Sequence, residues 1–254
     1  MTLTFLGTGT SQGIPVIGSN HPVCMSNDFK DKRLRVSVWI KTKKNSIVID
    51  TTPDFRYQML RSGCVKIDAL FFTHQHADHT AGIDDIRPFC FSHGALPIYL
   101  SKLTANNLKH RFDYIFETEN RYPGAPEVKL NLIDKDQSFF VNDEEIIPVE
   151  VMHGDLPVLG FRIQNLAYVT DMKTITAKEE LKLRDLDILV INALRIESHH
   201  SHLNLEEAIK FINKIKPKKA YLTHISHHLG FHSEVSKTLP ENIFLAYDQL
   251  TINI

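Results

Sequence analysis

Short apolar runs, each closed by a polar or small residue, recur along this chain and alternate with stretches of helical spacing. Leu3-Thr4-Phe5-Leu6-Gly7 predicts a strand that runs into Gly7-Thr8-Gly9-Thr10-Ser11-Gln12-Gly13, a loop of small residues through which backbone can approach a ligand. Arg35 to Ile40 largely alternates polar and apolar positions, and Ser46-Ile47-Val48-Ile49-Asp50 is an apolar run ending in an acid, so both predict strands. Ile67 to Phe72 predicts a buried strand that leads straight into a histidine cluster. Further strands are expected at Pro97 to Leu100, Glu145 to Met152, Leu159 to Ile163, Leu166 to Thr170, Leu186 to Ile191, Ala220 to Thr223 and Phe244 to Tyr247. Helices are expected at Asp54 to Leu60, Ala105 to Phe112, Ala177 to Leu183 and Leu205 to Ile215, and a surface loop at Asn120 to Glu127 around Pro123-Gly124-Ala125-Pro126. Mixed strands and helices without a composition break, long linker or repeat predict one α/β domain over residues 1–254.

Composition changes this picture in a few places. At 43% hydrophobic and 23% charged residues the chain can bury a sizeable core. A formal net charge of −1 provides no global basic field for a nucleic-acid backbone or an anionic membrane. No apolar run approaches the ~20 residues of a membrane span. The start, Met1 to Leu6, lacks the charged and long apolar segments of a secretion signal, so a cytoplasmic protein is expected. Cys24, Cys64 and Cys90 are odd in number and widely spaced, which predicts reduced thiols, one of them a metal-ligand candidate. The 14 histidines gather in His74 to His79, His199 to His202 and His224 to His232.

Thr73-His74-Gln75-His76-Ala77-Asp78-His79 packs four metal-ligand side chains into one turn at a strand's end. Imidazole nitrogen and carboxylate oxygen suit zinc, manganese or iron. His74 and His76, one residue apart, can converge on one ion, while Asp78 and His79, at the start of the next element, face a second. A lone histidine there would be read as solvated; this spacing after an apolar strand reverses that weighting.

The T-H-x-H-x-D-H run resembles the signature of the metallo-β-lactamase superfamily. The resemblance implies an α/β four-layer fold, the αβ/βα sandwich, with metals at the strand ends. It implies that His74, His76 and His153 hold one divalent ion, zinc or manganese, that Asp78, His79 and His224 hold another, and that Asp171 bridges them. Asp50 would support the ligands from behind. The nucleophile would be a hydroxide shared by the ions.

The retained Asp171 sets the chain apart from the β-lactamases themselves, and the strand-like C-terminus from glyoxalase-II-like thioesterases, which add a helical region. Ser201-His202-Leu203-Asn204 resembles the phosphodiesterases, where the histidine assists the leaving group; Asn204 reads as a helix cap. Catalytic roles thus fall to His202, Asp78 and Asp171, whereas His199 and His200 receive none. Gly7 to Pro15, Ile49 to Arg56 and Gly82 to Phe89 resemble the PhnP-like branch, which includes a phosphoribosyl cyclic phosphodiesterase, and Thr52 stands where relatives often have glycine. That branch also implies a structural zinc at His21, Cys24 and His227, although Ser19 replaces an expected cysteine and leaves three ligands where a closed site wants four. The expected substrate is a small, cyclic or phosphoribosyl-type phosphodiester. A ribonuclease-Z-like enzyme is the rival, but it inserts an RNA-gripping arm between the third histidine and the bridging aspartate, and His153 and Asp171 lie close in sequence. An inactive binding protein would lack ligands, and none is missing. A homodimer is the default assembly.

Overall fold

The computed structural model describes residues 1–117, 119 and 121–254. Fourteen strands form two seven-stranded sheets. Along the chain, β1 (Thr2–Gly7), β2 (Ser37–Lys41), β3 (Ser46–Ile49), β4 (Ala69–Phe71), β5 (Leu96–Leu100) and β6 (Val128–Leu132) belong to the first. The second holds β7 (Phe139–Val141), β8 (Glu144–His153), β9 (Leu156–Ile163), β10 (Leu166–Val169), β11 (Ile188–Asn192), β12 (Lys219–Thr223) and β13 (Ile243–Leu245). The last strand, β14 (Thr251–Asn253), returns to pair with β1. The sheet orders are β14-β1-β2-β3-β4-β5-β6 and β13-β12-β11-β10-β9-β8-β7. Each has an antiparallel side and a parallel run, β3 to β6 in one and β10 to β13 in the other. The two sheets therefore repeat one topology, a repeat that the side chains do not spell out.

The inner strands β3, β4, β10 and β11 of the parallel runs are almost entirely apolar because both their faces are covered. Ile47 and Ile49 of β3 and Phe71 of β4 enter the layer between the sheets, where they meet Phe161, Tyr168 and Val190 from the other side. Phe71 packs on Phe161 with ring centroids 4.9 Å apart. The alternate residues Val48 and Leu70 point outwards into a second cluster under the helices of the first half. Val169, Leu189 and Ile191 do the same in the second half, under the helix Leu205–Ile215. The result is a four-layer α/β sandwich.

Element boundaries differ from the sequence reading where a side chain takes over a backbone group. The strand expected from Arg35 starts at Ser37, since the Arg35 N–H donates to Asp54 Oδ2 at 2.9 Å instead of a ladder partner. The strand read to Asp50 ends at Ile49 and that read to Thr170 ends at Val169. The run read from Ile67 to Phe72 shortens to Ala69–Phe71, and those read from Leu186 to Ile191 and from Phe244 to Tyr247 shift to Ile188–Asn192 and Ile243–Leu245. Ala177 to Leu183 divides into an α-helical turn, Ala177–Glu180, and a 3₁₀ turn, Leu181–Leu183. The helix Arg87–His93 and the half-exposed edge strands β6 and β7 have no counterpart in the reading. The helix Leu205–Ile215 keeps its expected bounds, capped reciprocally by Asn204 and Glu207. Residues 121–127 form the expected loop, of which Asn120 lies outside the described residues. All three cysteines are free and buried. Among the described residues, no helix is long and apolar enough to cross a membrane.

Thr52 does not need the freedom of glycine: it lies outside the left-handed region, and its hydroxyl donates to Gln58 Oε1 and accepts from the Asp54 N–H, both at 3.0 Å. Gly82 does need to be glycine. Its N–H donates to Thr51 O, and a Cβ would sit 2.1 Å from Thr52 O and 2.7 Å from the Phe55 Cβ. Gly82→Ala is expected to destabilise the fold by about 3 kcal/mol, because backbone rather than a flexible side chain must yield. Denaturant unfolding checks this, and a midpoint equal to that of the parent would refute it.

A polar network ties the loop after β1 to the C-terminal half. Buried Arg33 donates to Thr8 Oγ1, Ala246 O and His232 Nδ1. Burial, with Arg33 and Lys30 nearby, pushes His232 down to about 4. Between the ordinary value near 6.5 and about 4 the unfolded chain gains a proton that the folded chain refuses, so stability falls as pH falls through that window. His232→Asn should remove that part of the slope, on the order of 1 kcal/mol after allowing for solvent screening. Unfolding of metal-stripped parent and variant across pH 4–7 gives the test; parallel curves would refute it.

Candidate metal centre

The centre lies where β3, β4, β8, β10 and β12 end. Asp50, Asp171 and His224 each follow a strand and each adopt a left-handed backbone, with φ of 67°, 59° and 54°. Such non-glycine residues are costly and persist only where surrounding contacts hold them. The turn after β4 carries His74, then His76 as the cap of the short helix Ala77–Thr80, whose first turn presents Asp78 and His79. His153 closes β8.

These side chains meet. Ring centroids of His74 lie 4.6 Å from His76 and 4.3 Å from His79, and His76 lies 5.3 Å from His153. Asp171 Oδ2 lies 3.3 Å from His79 Nε2, and its Oδ1 lies 3.2 Å from His224 Nε2. Asp78 Oδ2 lies 3.4 Å from His79 Nε2 and 3.8 Å from His224 Nε2. Among the described residues, three sets have donor atoms all within 4.8 Å of one another: His74, His79, Asp171; Asp78, His79, His224; and His153, Asp171, His202. His202 thus joins the centre through Asp171, with Nδ1 3.8 Å from Oδ1, and stacks on His224 at 4.7 Å. His76 is exposed and His153 half-buried, so the centre opens to solvent on their side.

Hydrogen bonds fix the orientation of three of the rings, His74, His79 and His153. Thr73 Oγ1 donates to Asp50 Oδ2 at 2.8 Å, so it must accept from His74 Nδ1 at 3.0 Å, leaving the Nε2 lone pair of His74 facing the centre. His79 Nδ1 donates to Asp50 Oδ2 at 2.7 Å and His153 Nδ1 to Ser201 O at 2.9 Å, so Nε2 is the nitrogen of each that is turned away from these partners. This is the outer hydrogen-bonding that metal-binding imidazoles require. Asp50 sits behind the centre and also accepts the Thr73 N–H at 2.9 Å.

The electrostatics fit a cation. Burial pushes His79 down, but Asp171, Asp78 and Asp50 outweigh it and hold its proton well above the imidazole range. Burial also opposes the charge on Asp78, which His79 and His224 overcome, and that on Asp171, where His224 and His79 overcome it; both carboxyls stay well below their usual range. Burial drives His74 the other way, and it is neutral. Nε2 of His74 and of His79, both nitrogens of His224, and Nδ1 of His202 are buried without a hydrogen-bond partner. Each such atom costs about 1–3 kcal/mol if nothing binds it. Unpaired imidazole nitrogens around two ionised carboxylates are a donor set for divalent ions, and the residues present fit them.

The other proposed metal position is less converged. His21 lies 4.9 Å from His227 and 5.5 Å from His228 by ring centroid, and the buried His227 Nδ1 has no hydrogen-bond partner. The Cys24 sulfur takes the Val16 N–H at 3.5 Å and is absent from the compact donor sets found among the described residues. His199 packs on His202 at 5.2 Å and on His200 at 4.4 Å. Sequence reasoning missed His228, which has only its adjacency to His227 as a signal, and Thr73, which the motif includes without assigning it a task.

The sequence profile of the β-lactamase superfamily domain matches residues 45–225. A crystal structure described as a new diphosphatase from the PhnP family superposes with a TM-score of 0.92 at 40% identity, covering 100% of this chain and 97% of that one. An octanoyltransferase of Porphyromonas gingivalis is 41% identical over 98% of this chain and 51% of its own length. A ribonuclease Z of Bacillus subtilis is 27% identical over 70% of this chain and 54% of its length. The chain thus spans about half the length of the curated relatives it matches. On its profile match and on its likeness to the diphosphatase along the full length of both chains, the chain belongs to the PhnP family of the β-lactamase superfamily.

Proposed function

We propose that the chain is a hydrolase that uses two divalent ions to cleave a small phosphate diester or diphosphate ester. The observation that carries this reading is Asp171, whose oxygens lie within 3.3 Å of His79 Nε2 and His224 Nε2 and which shares one compact donor set with His74 and another with His153 and His202. His74, His76 and His153 would hold one ion, Asp78, His79 and His224 the other, and Asp171 both. Bound there, zinc or manganese would acidify a water and neutralise phosphoryl oxygens.

The chain's own residues do the rest. Asp50 and Thr73 orient His79 and His74, and the Ser201 carbonyl orients His153. Burial and His224 push His202 down to about 2, so its ring enters the reaction neutral and serves as a hydrogen-bond donor to the departing oxygen. The exposed side over His76 and His153 admits the substrate.

A small substrate is favoured over RNA because β9 and β10 occupy the interval from His153 to Asp171 as a plain antiparallel hairpin with no arm. Acyl transfer through a cysteine thioester is disfavoured, since the cysteines are buried outside the centre. The octanoyltransferase name belongs to a protein about twice as long as the match. Cyclic phosphates, linear phosphodiesters, diphosphate esters, tRNA precursors and thioesters should be screened with purified protein and added zinc or manganese. Turnover of a small phosphoester is expected, and a response to thioesters alone overturns the reading. A structural zinc at His21, Cys24 and His227 predicts a third metal per chain, which is lost on His227→Ala while the other two remain.

A further inference from the structure

We propose that Asn192, the last residue of β11, is the positioning residue of the metal centre, pinning the Asp171 turn and His202 to each other. This rests on the reading of Asp171 as the ligand shared by both ions. Asp171 turns left-handed beyond the end of β10, so the next residue, Met172, has left the ladder and its N–H and C=O have no strand partner. The fully buried Asn192 amide supplies both. Its Oδ1 accepts the Met172 N–H at 2.7 Å and its Nδ2 donates to Met172 O at 3.0 Å.

The same Met172 carbonyl accepts the N–H of Leu203 at 2.8 Å, which fixes the residue after His202. Beside the clamp, the Ala193 N–H donates to Thr223 O at 2.9 Å, next to His224, and the Lys173 N–H to Met152 O at 2.8 Å, next to His153. One side chain therefore sits where the backbone restraints on Asp171, His202, His224 and His153 join. The first sheet holds its own crossing in a comparable way: Asp50, left-handed after β3, accepts the N–H and hydroxyl of Thr73 beyond β4. In the second sheet the crossing carboxylate is committed to the metals, so the neighbouring strand has to supply the pin.

The test is metal binding, which does not depend on finding the substrate. Asn192→Ala, and Asn192→Asp, which keeps the acceptor but loses the donor, are titrated with cobalt(II) and followed by visible absorption, with the bound metal counted. Leu183→Ala, a core cavity in the turn before β11, serves as an equally destabilised control. Both Asn192 variants are expected to bind cobalt about ten- to a hundredfold more weakly than the parent, with altered absorption bands, while Leu183→Ala keeps the parental spectrum and affinity. Should Asn192→Ala fail to fold, Asn192→Asp carries the test. Parental affinity and spectrum in a folded Asn192 variant, or equal weakening in Leu183→Ala, overturns the clamp alone. A parent that bound no metal would overturn the two-ion reading and the clamp together.

Discussion

Asp171→Asn is expected to lower hydrolysis of a phosphoester by a thousandfold or more and to strip at least one bound ion per chain. The amide keeps the shape of the side chain but removes the anion that lies within 3.3 Å of His79 Nε2 and His224 Nε2. It also removes the largest opposing charge that keeps His79 protonated in the absence of metal, so metal affinity and local charge balance fall together. A thousandfold corresponds to about 4 kcal/mol of lost transition-state stabilisation. Steady-state rates and metal content are the measurements. Asp171→Asn with parental turnover and two ions would remove Asp171 from the centre, whatever the substrate proves to be.

His202→Ala should leave metal content intact and lower kcat about a hundred- to a thousandfold, the loss typical of one hydrogen-bond donor to developing negative charge. KM should change little, since the contact is made as the leaving oxygen gains charge. Because burial and His224 hold the ring neutral, the acid limb of the rate profile should not belong to His202. His202→Gln, which retains an N–H, should keep the parental pH profile and recover part of the rate. Loss of an ion from His202→Ala would instead assign His202 as a ligand, consistent with its place beside His153 and Asp171.

Legibility of the site followed sequence distance. The turn from His74 to His79 needed only local spacing, because a tight turn after a buried strand brings neighbouring residues to one point. Asp50, His153, Asp171, His202 and His224 belong to no local ligand motif, and only the chain order of a resembled family marked them. Asn192 could not be found either way. An asparagine at a strand end has many uses, and its task exists only because Asp171 leaves the ladder of the neighbouring strand. His202 was read as an acid or a stabiliser, and its neutrality depends on burial that no local pattern encodes.

The fold divides along the same line. The inner parallel strands were visible as apolar runs because both their faces are buried, which makes them uniform in hydrophobicity. Edge strands β6 and β7 were not, since half-exposed residues carry no clear period. By itself, the sequence determined the chemistry of one turn and the strands and helices that alternate around it, because spacing and hydrophobic period are local. The tertiary structure alone decided that two sheets repeat one topology, that their strand ends face a common point, and which nitrogen of His74, His79 and His153 faces that point. Those depend on contacts between residues far apart in the chain.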